Sequence, residues 1–128
     1  MAKWLSDEWF DRMRDLTADQ PADPGLSARI QAEVTGGPDG EIRYYLVLED
    51  GRITDGGGGV VAEADVTVSL AWADAVAVEQ GGLDPNVAFM QGRLKVGGSM
   101  EVMLQLLALA AAPASQELRR AIAEFTEF

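Results

Sequence analysis

With no histidine and no cysteine among 128 residues, the groups left for chemistry are 21 Asp and Glu, the hydroxyls and two lysines, Lys3 and Lys95. A Ser-His-Asp triad, a thiolate nucleophile, a disulfide framework and a Cys/His zinc site are therefore excluded, since each needs a soft ligand or a base titrating near neutrality. Lys95 would need an apolar pocket to form a Schiff base, yet its place between Leu94 and Val96 in an alternating strand points it away from the core. Asp7, Asp11 and Asp15 recur four apart on one helix face, where they repel each other and are answered by Arg12 and Arg14; this is a solvated face rather than a metal site. Gly56-Gly57-Gly58-Gly59 is not followed by Gly-Lys-Ser/Thr, and Val60-Val61 opens no helix, so the run is expected to be a mobile turn rather than a phosphate loop. Asp39-Gly40-Glu41 and Asp50-Gly51 lack the spacing that converges oxygens on calcium and fit hairpin turns instead. Among so many acids some carboxylates always lie close together, so pairing alone marks no acid/base site. The expectation is a chain with no catalytic residue, no metal and no cofactor.

Charge and composition narrow the partners. A net charge of −11 repels phosphate backbones and anionic lipid surfaces, and the ten cations form no stripe longer than Arg119-Arg120. Nucleic acid is disfavoured, as is direct docking to anionic membranes. An apolar fraction of 48% suffices for a core in a single domain, residues 1–128. The start, Met1 to Glu8, turns acidic within seven residues and fits neither a signal nor a transit peptide, so a cytoplasmic setting is expected.

The elements follow from periodicity. Residues 5–17 form the leading segment, an amphipathic helix of roughly Asp7 to Thr17 capped by Ser6, with Trp9, Met13 and Leu16 on one face and a staple between Leu5 and Phe10. Pro21, Pro24 and Gly25 then release the chain as a loop. From Ala28 the period becomes two: Ala28, Ile30, Ala32 and Val34 face the core, while Arg29, Gln31, Glu33 and Thr35 face water. Gly36 to Gly40 turns the chain into Ile42 to Leu48, and Asp50-Gly51 turns it again into Arg52-Ile53-Thr54, giving an antiparallel meander. Val66 to Leu70 makes a fourth strand and Leu94-Lys95-Val96 a fifth. Between these last two, Trp72, Val76 and Glu79 mark a helix ending at Gly81-Gly82, and Asp84-Pro85 opens another that closes at Gly92. Ser99 caps a helix in which Gln105 is the only polar residue from Val102 to Ala112. At about eleven residues it is too short to span a bilayer, which takes roughly 20, and must lie inside protein or border an apolar ligand. Residues 115–127 form a last helix capped by Ser115, with Leu118, Ile122 and Phe125 as its stripe.

The stretch Asp65-Val-Thr-Val-Ser-Leu70, then Gly81-Gly-Leu-Asp-Pro-Asn86 and Ala88-Phe-Met-Gln-Gly-Arg-Leu-Lys-Val-Gly-Gly-Ser-Met100, closely resembles the sterol carrier protein type 2 domain family. The resemblance covers roughly Leu5 to Ala112, with its specific part from Asp65 to Leu107. It implies an α+β fold, a five-stranded, mainly antiparallel, twisted sheet with helices covering one face and an apolar tunnel between them over residues 28–112. It also implies carriage of sterols, fatty acids or acyl chains without chemistry on them.

On the residues alone, an apolar helix against a sheet is more often core than cavity wall; the resemblance favours the wall. The expected ligand-binding residues are Phe89, Met90, Met100, Met103, Leu104 and Leu107, with Trp72, Val76, Tyr44 and Leu46 opposite. Gln105 either faces solvent or offers one hydrogen bond to a head group. Burying about 300 Å² of lipid at about 25 cal/mol per Å² yields roughly 7 kcal/mol before association costs, without directional contacts. Trp9, Met13, Leu118, Ile122 and Phe125 could gate the opening, form a homodimer face or meet an enzyme partner. The alternative is a filled pocket in an interaction module, or an accessory subunit of a lipid- or steroid-metabolising enzyme. Two lysines are few for the family, which turns the expectation toward aqueous exchange or a basic protein partner. The C-terminal Phe125-Thr-Glu-Phe128 is not a peroxisomal address, which fits a bacterial cytoplasm.

Overall fold

The computed structural model describes residues 2–18, 25–38 and 40–128. The proline linker and Asp39 of the first hairpin turn lie outside the described residues.

A leading helix, α1 (Asp7–Thr17), starts where Ser6 accepts the Trp9 amide at 3.3 Å, with Asp7 and Glu8 at its positive end. It buries Trp9, Phe10 and Met13. Its acidic outer face is answered as the spacing implies, by Arg12 to Glu8 at 3.2 Å and by Arg14 to Asp11. Two short strands, β1 (Ala2–Lys3) and β7 (Thr126–Glu127), pair in parallel and tie the two ends of the described chain together. The Trp9 indole locks this junction by donating to Thr126 Oγ1 at 2.9 Å.

The main sheet comprises β2 (Ala28–Gly37), β3 (Gly40–Glu49), β4 (Arg52–Gly58), β5 (Val66–Ala71) and β6 (Lys95–Gly98), in the order β4-β3-β2-β5-β6. It is mixed: β2 and β5 are parallel, and the other three pairs antiparallel. The register puts Ile30 beside Leu46 and Val66, and Ala32 beside Tyr44 and Val68, so the apolar alternations of three strands share one face. At the β3–β4 hairpin Asp50 and Gly51 both take positive φ, 52° and 77°, as a type I′ turn requires.

The sheet departs from the sequence pattern in two places. Gln31, expected in water, is buried. Because β5 lies parallel to β2, the chain must return from β4 along the outside of the sheet, and Gln31 fastens that return by donating to Gly59 O at 3.0 Å and accepting from the Val61 amide at 2.9 Å. Most of the glycine run, expected to be a turn, instead belongs to β4, with Gly56, Gly57 and Gly58 opposite Leu46, Tyr45 and Tyr44, and only Gly59, with φ of 104°, lies in a bend beyond it. Packing explains two of these glycines: a Cβ on Gly56 would come within 3.1 Å of both Leu46 and Phe10, and one on Gly57 within 3.2 Å of the Tyr45 hydroxyl.

Four more helices follow: α2 (Trp72–Glu79), α3 (Pro85–Met90), α4 (Met100–Ala111) and α5 (Pro113–Phe125). Asp84 caps α3 by accepting the Asn86 amide at 2.7 Å, and Ser99 caps α4 by accepting that of Val102 at 3.3 Å. The last helix begins at Pro113 rather than at Ser115: proline's fixed φ suits a first turn, so no side-chain cap is used.

Candidate functional site

Where the apolar sheet face meets the helices it is not fully packed. A cavity of about 400 Å³ lies there, bounded by α1, the strands β2, β3 and β4, the end of α2, and the helices α4 and α5. Its apolar walls include Ile30, Leu46, Leu48, Ile53, Leu106 and Leu118. A second space of about 170 Å³, lined by Val66, Val68, Val96, Met103 and Leu107, continues toward β6. Both spaces touch Ile30, Leu106 and Ala110, so they are neighbours along one slot between sheet and helices.

The local sequence explains the slot. Alternation on β2 and β3 presents a row of medium-sized side chains, and α4 lays Met103, Leu106, Leu107 and Ala110 over it at helical spacing. Ala110 is small where the two spaces meet, so the wall opens there instead of closing.

Of the residues expected to meet ligand, Tyr44 and Leu46 line the larger space, and Met103 and Leu107 the smaller. The other seven lie elsewhere. Trp72 packs at a tilt against Trp4, 5.0 Å between ring centroids, with its ring within 3.0 Å of where a Cβ on Gly37 would stand. Val76 packs into the same aromatic cluster. Phe89 is half-buried without bordering either space. Met90, at the end of α3, is 76% exposed; Met100 and Leu104 are 63% and 59% exposed and Gln105 is exposed too, so α4 turns these three outward. Trp9, Met13, Leu118 and Ile122 are cavity wall; Trp9, Met13 and Ile122 are buried within the chain, which leaves little of their surface for a second copy. Phe125 receives the Arg12 guanidinium over its ring at 5.5 Å.

Three polar residues on this wall escaped sequence reasoning as site residues: Glu79 from α2, Arg119 from α5, and Tyr44 as a hydroxyl rather than as an apolar ring. The Glu79 carboxyl is pushed up to about 7, chiefly by burial and against the pull of Arg119. Burial, with the Glu79 charge beside it, raises the Tyr44 phenol well above its ordinary range. Arg119 spends one N–H on Ala110 O at 3.2 Å. The signal for Glu79 was its spacing: Trp72, Ala75, Val76 and Glu79 stand at i, i+3, i+4 and i+7, so the acid occupies a position of the buried stripe.

The slot is mostly apolar with a few polar groups, the make-up of ligand-binding cavities, and comparison with known proteins agrees in fold. Residues 9–111 match the SCP-2 sterol transfer family. Sterol carrier protein 2 of Bos taurus is 31% identical over 90 residues, 67% of this chain and 16% of that protein. Hydroxysteroid dehydrogenase-like protein 2 of Rattus norvegicus is 31% identical over 100 residues, 78% of this chain and 18% of that protein. The chain thus spans only a small part of these curated relatives. A crystal structure of sterol carrier protein 2 aligns over 97% of this chain and 99% of its own, with a TM-score of 0.72 and 21% identity. The solution structure of palmitated sterol carrier protein 2-like 2 from Aedes aegypti aligns over 80% and 90%, with a TM-score of 0.65 and 21% identity. With the specific motifs, the sheet order and the slot all in place, the chain belongs to the SCP-2 sterol transfer family.

Proposed function

We propose that this protein binds and carries an elongated apolar lipid in the slot between its sheet and α4, without chemistry on it. The observation that carries this is the pair of neighbouring apolar spaces, about 400 and 170 Å³, between elements that would otherwise have packed into a dry core. The larger lies in the size range of ligand sites. A chain of about sixteen carbons contributes about 12 kcal/mol at about 0.8 kcal/mol per methylene. After association costs of about 4 kcal/mol, binding is micromolar. Membership of a sterol transfer family and the fold shared with a palmitated relative support the same reading.

The wall residues proposed to meet ligand are Tyr44, Leu46, Met103 and Leu107, joined by Ile30, Leu106 and Leu118. The direct test uses delipidated protein titrated with a fluorescent fatty acid. Saturable uptake is expected in the wild type, weakened at least tenfold by Ala110→Trp, which fills the junction of the two spaces. Uptake that never saturates, or that Ala110→Trp leaves unchanged, overturns this reading. A second reading, presentation of the lipid to an enzyme, is favoured by the relatedness to a much longer hydroxysteroid dehydrogenase-like protein. It predicts that the loaded protein, but not free lipid at the same concentration, supports turnover by its partner.

A further inference from the structure

Resting on the carrier reading, the geometry points to a head-group subsite in the larger space: we propose that Glu79 and Tyr44, with Arg119 beside them, select a lipid that ends in a hydroxyl over the same lipid ending in a free carboxylate.

Besides these groups the wall carries two uncharged hydroxyls, Thr17 and Ser115, and Thr17 already donates to the Ile53 carbonyl at 3.0 Å. Neither the Glu79 carboxyl nor the Tyr44 hydroxyl has a hydrogen-bond partner among the described residues, although both line the cavity. Both residues are half-buried, so their polar atoms open onto the cavity, where water meets them when it is empty and a ligand group can take the water's place. They sit close enough that the Glu79 charge acts on the Tyr44 phenol.

The two offer complementary chemistry. An ionised carboxylate only accepts, and a phenol in its protonated form donates as well as accepts. A ligand hydroxyl can donate to Glu79 and accept from Tyr44 in one place, which satisfies both groups. A ligand carboxylate is acceptor-only: it can use Tyr44 and Arg119 but would stand against the Glu79 charge in a low-dielectric site. The surrounding elements add no further charge, since α1 contributes Trp9, Met13 and Thr17 and α4 contributes Leu106, Leu109 and Ala110. Arg119 balances Glu79 once, so the site is neutral when empty and suits a neutral head group. At pH 8 the Glu79 carboxyl, with its value near 7, is mainly ionised and the discrimination is largest.

The experiment displaces a bound apolar fluorophore with hexadecan-1-ol and with hexadecanoic acid, delivered from cyclodextrin at pH 8. These probes share one chain, so their ratio reports the head group alone. Wild type is expected to prefer the alcohol by about tenfold, the scale of one hydrogen bond to a charged group. Glu79→Gln removes the charge while keeping shape and is expected to tighten acid binding and erase most of the preference. Tyr44→Phe is expected to weaken alcohol binding about fivefold, since it removes the donor that the hydroxyl accepts from. Equal binding of both probes by wild type, tighter acid binding, or a ratio unmoved by Glu79→Gln overturns the subsite while leaving the carrier reading intact. Failure of wild type to take up the fluorophore overturns both.

Discussion

Glu79 shows how a single residue can carry the tension between folding and function. Its carboxyl stands near 7 in the fold against 4.5 ordinarily, so the folded chain holds that proton more tightly than the unfolded one. The favourable contribution is complete below about 4.5, declines as pH rises through 7, and above that the buried charge opposes folding. Glu79→Gln is therefore expected to match wild type in thermal melts near pH 4 and to exceed it by about 2 kcal/mol at pH 8.5, discounted for the access the cavity gives the carboxyl. A difference that stays constant across that range would show that the carboxyl is not paying for burial. A stabilising loss of charge is what a residue kept for ligand would display. The sequence marked this residue only weakly, because an acid at a stripe position of a short helix reads first as a helix end.

At the scale of elements, α1 was legible to its boundaries, because cap, charge and stripe agree in Ser6, Asp7 and Trp9. The case of α4 is opposite. A helix apolar all round gives periodicity nothing to separate, so its start at Ser99 is plain while its inward face is not. The structure turns Met103 in and Leu104 out. Accordingly Met103→Ala is expected to cost about 2 to 4 kcal/mol in urea unfolding, and Leu104→Gln less than about 0.5 kcal/mol. Equal costs would contradict this orientation. The turn from β6 into α4 is sharper still. Gly98 has φ of 100°, and a Cβ there would lie 2.4 Å from Asp65 O, the carbonyl that accepts the Ser99 amide at 2.9 Å. Backbone cannot yield as a flexible side chain would, so Gly98→Ala is expected to lower stability by more than about 2 kcal/mol, whereas Gly97→Ala, with nothing near its Cβ, costs far less.

For the whole molecule, strand alternation made the meander and the apolar face readable, and the ordered motifs from Asp65 to Met100 made the family readable. What sequence could not show was the parallel pairing of β2 with β5, which depends on contacts far apart in the chain and on the return segment fastened by Gln31. The same limit hid the slot: its walls come from α1, three strands and three helices, and no local pattern distinguishes a face that packs from a face that stands slightly apart. Among the described residues no helix is long and apolar enough to cross a membrane. With a net charge of −11, association with vesicles is expected not to rise with their anionic fraction, and sedimentation that tracks phosphatidylserine content would contradict that. The central claim is that the space between sheet and α4 holds lipid, and titration of the delipidated protein with a fluorescent fatty acid tests it most directly. One saturable site of micromolar affinity, weakened at least tenfold by Ala110→Trp in a variant that still melts cooperatively, is the predicted result. Unsaturable uptake, or uptake indifferent to that substitution, would contradict it.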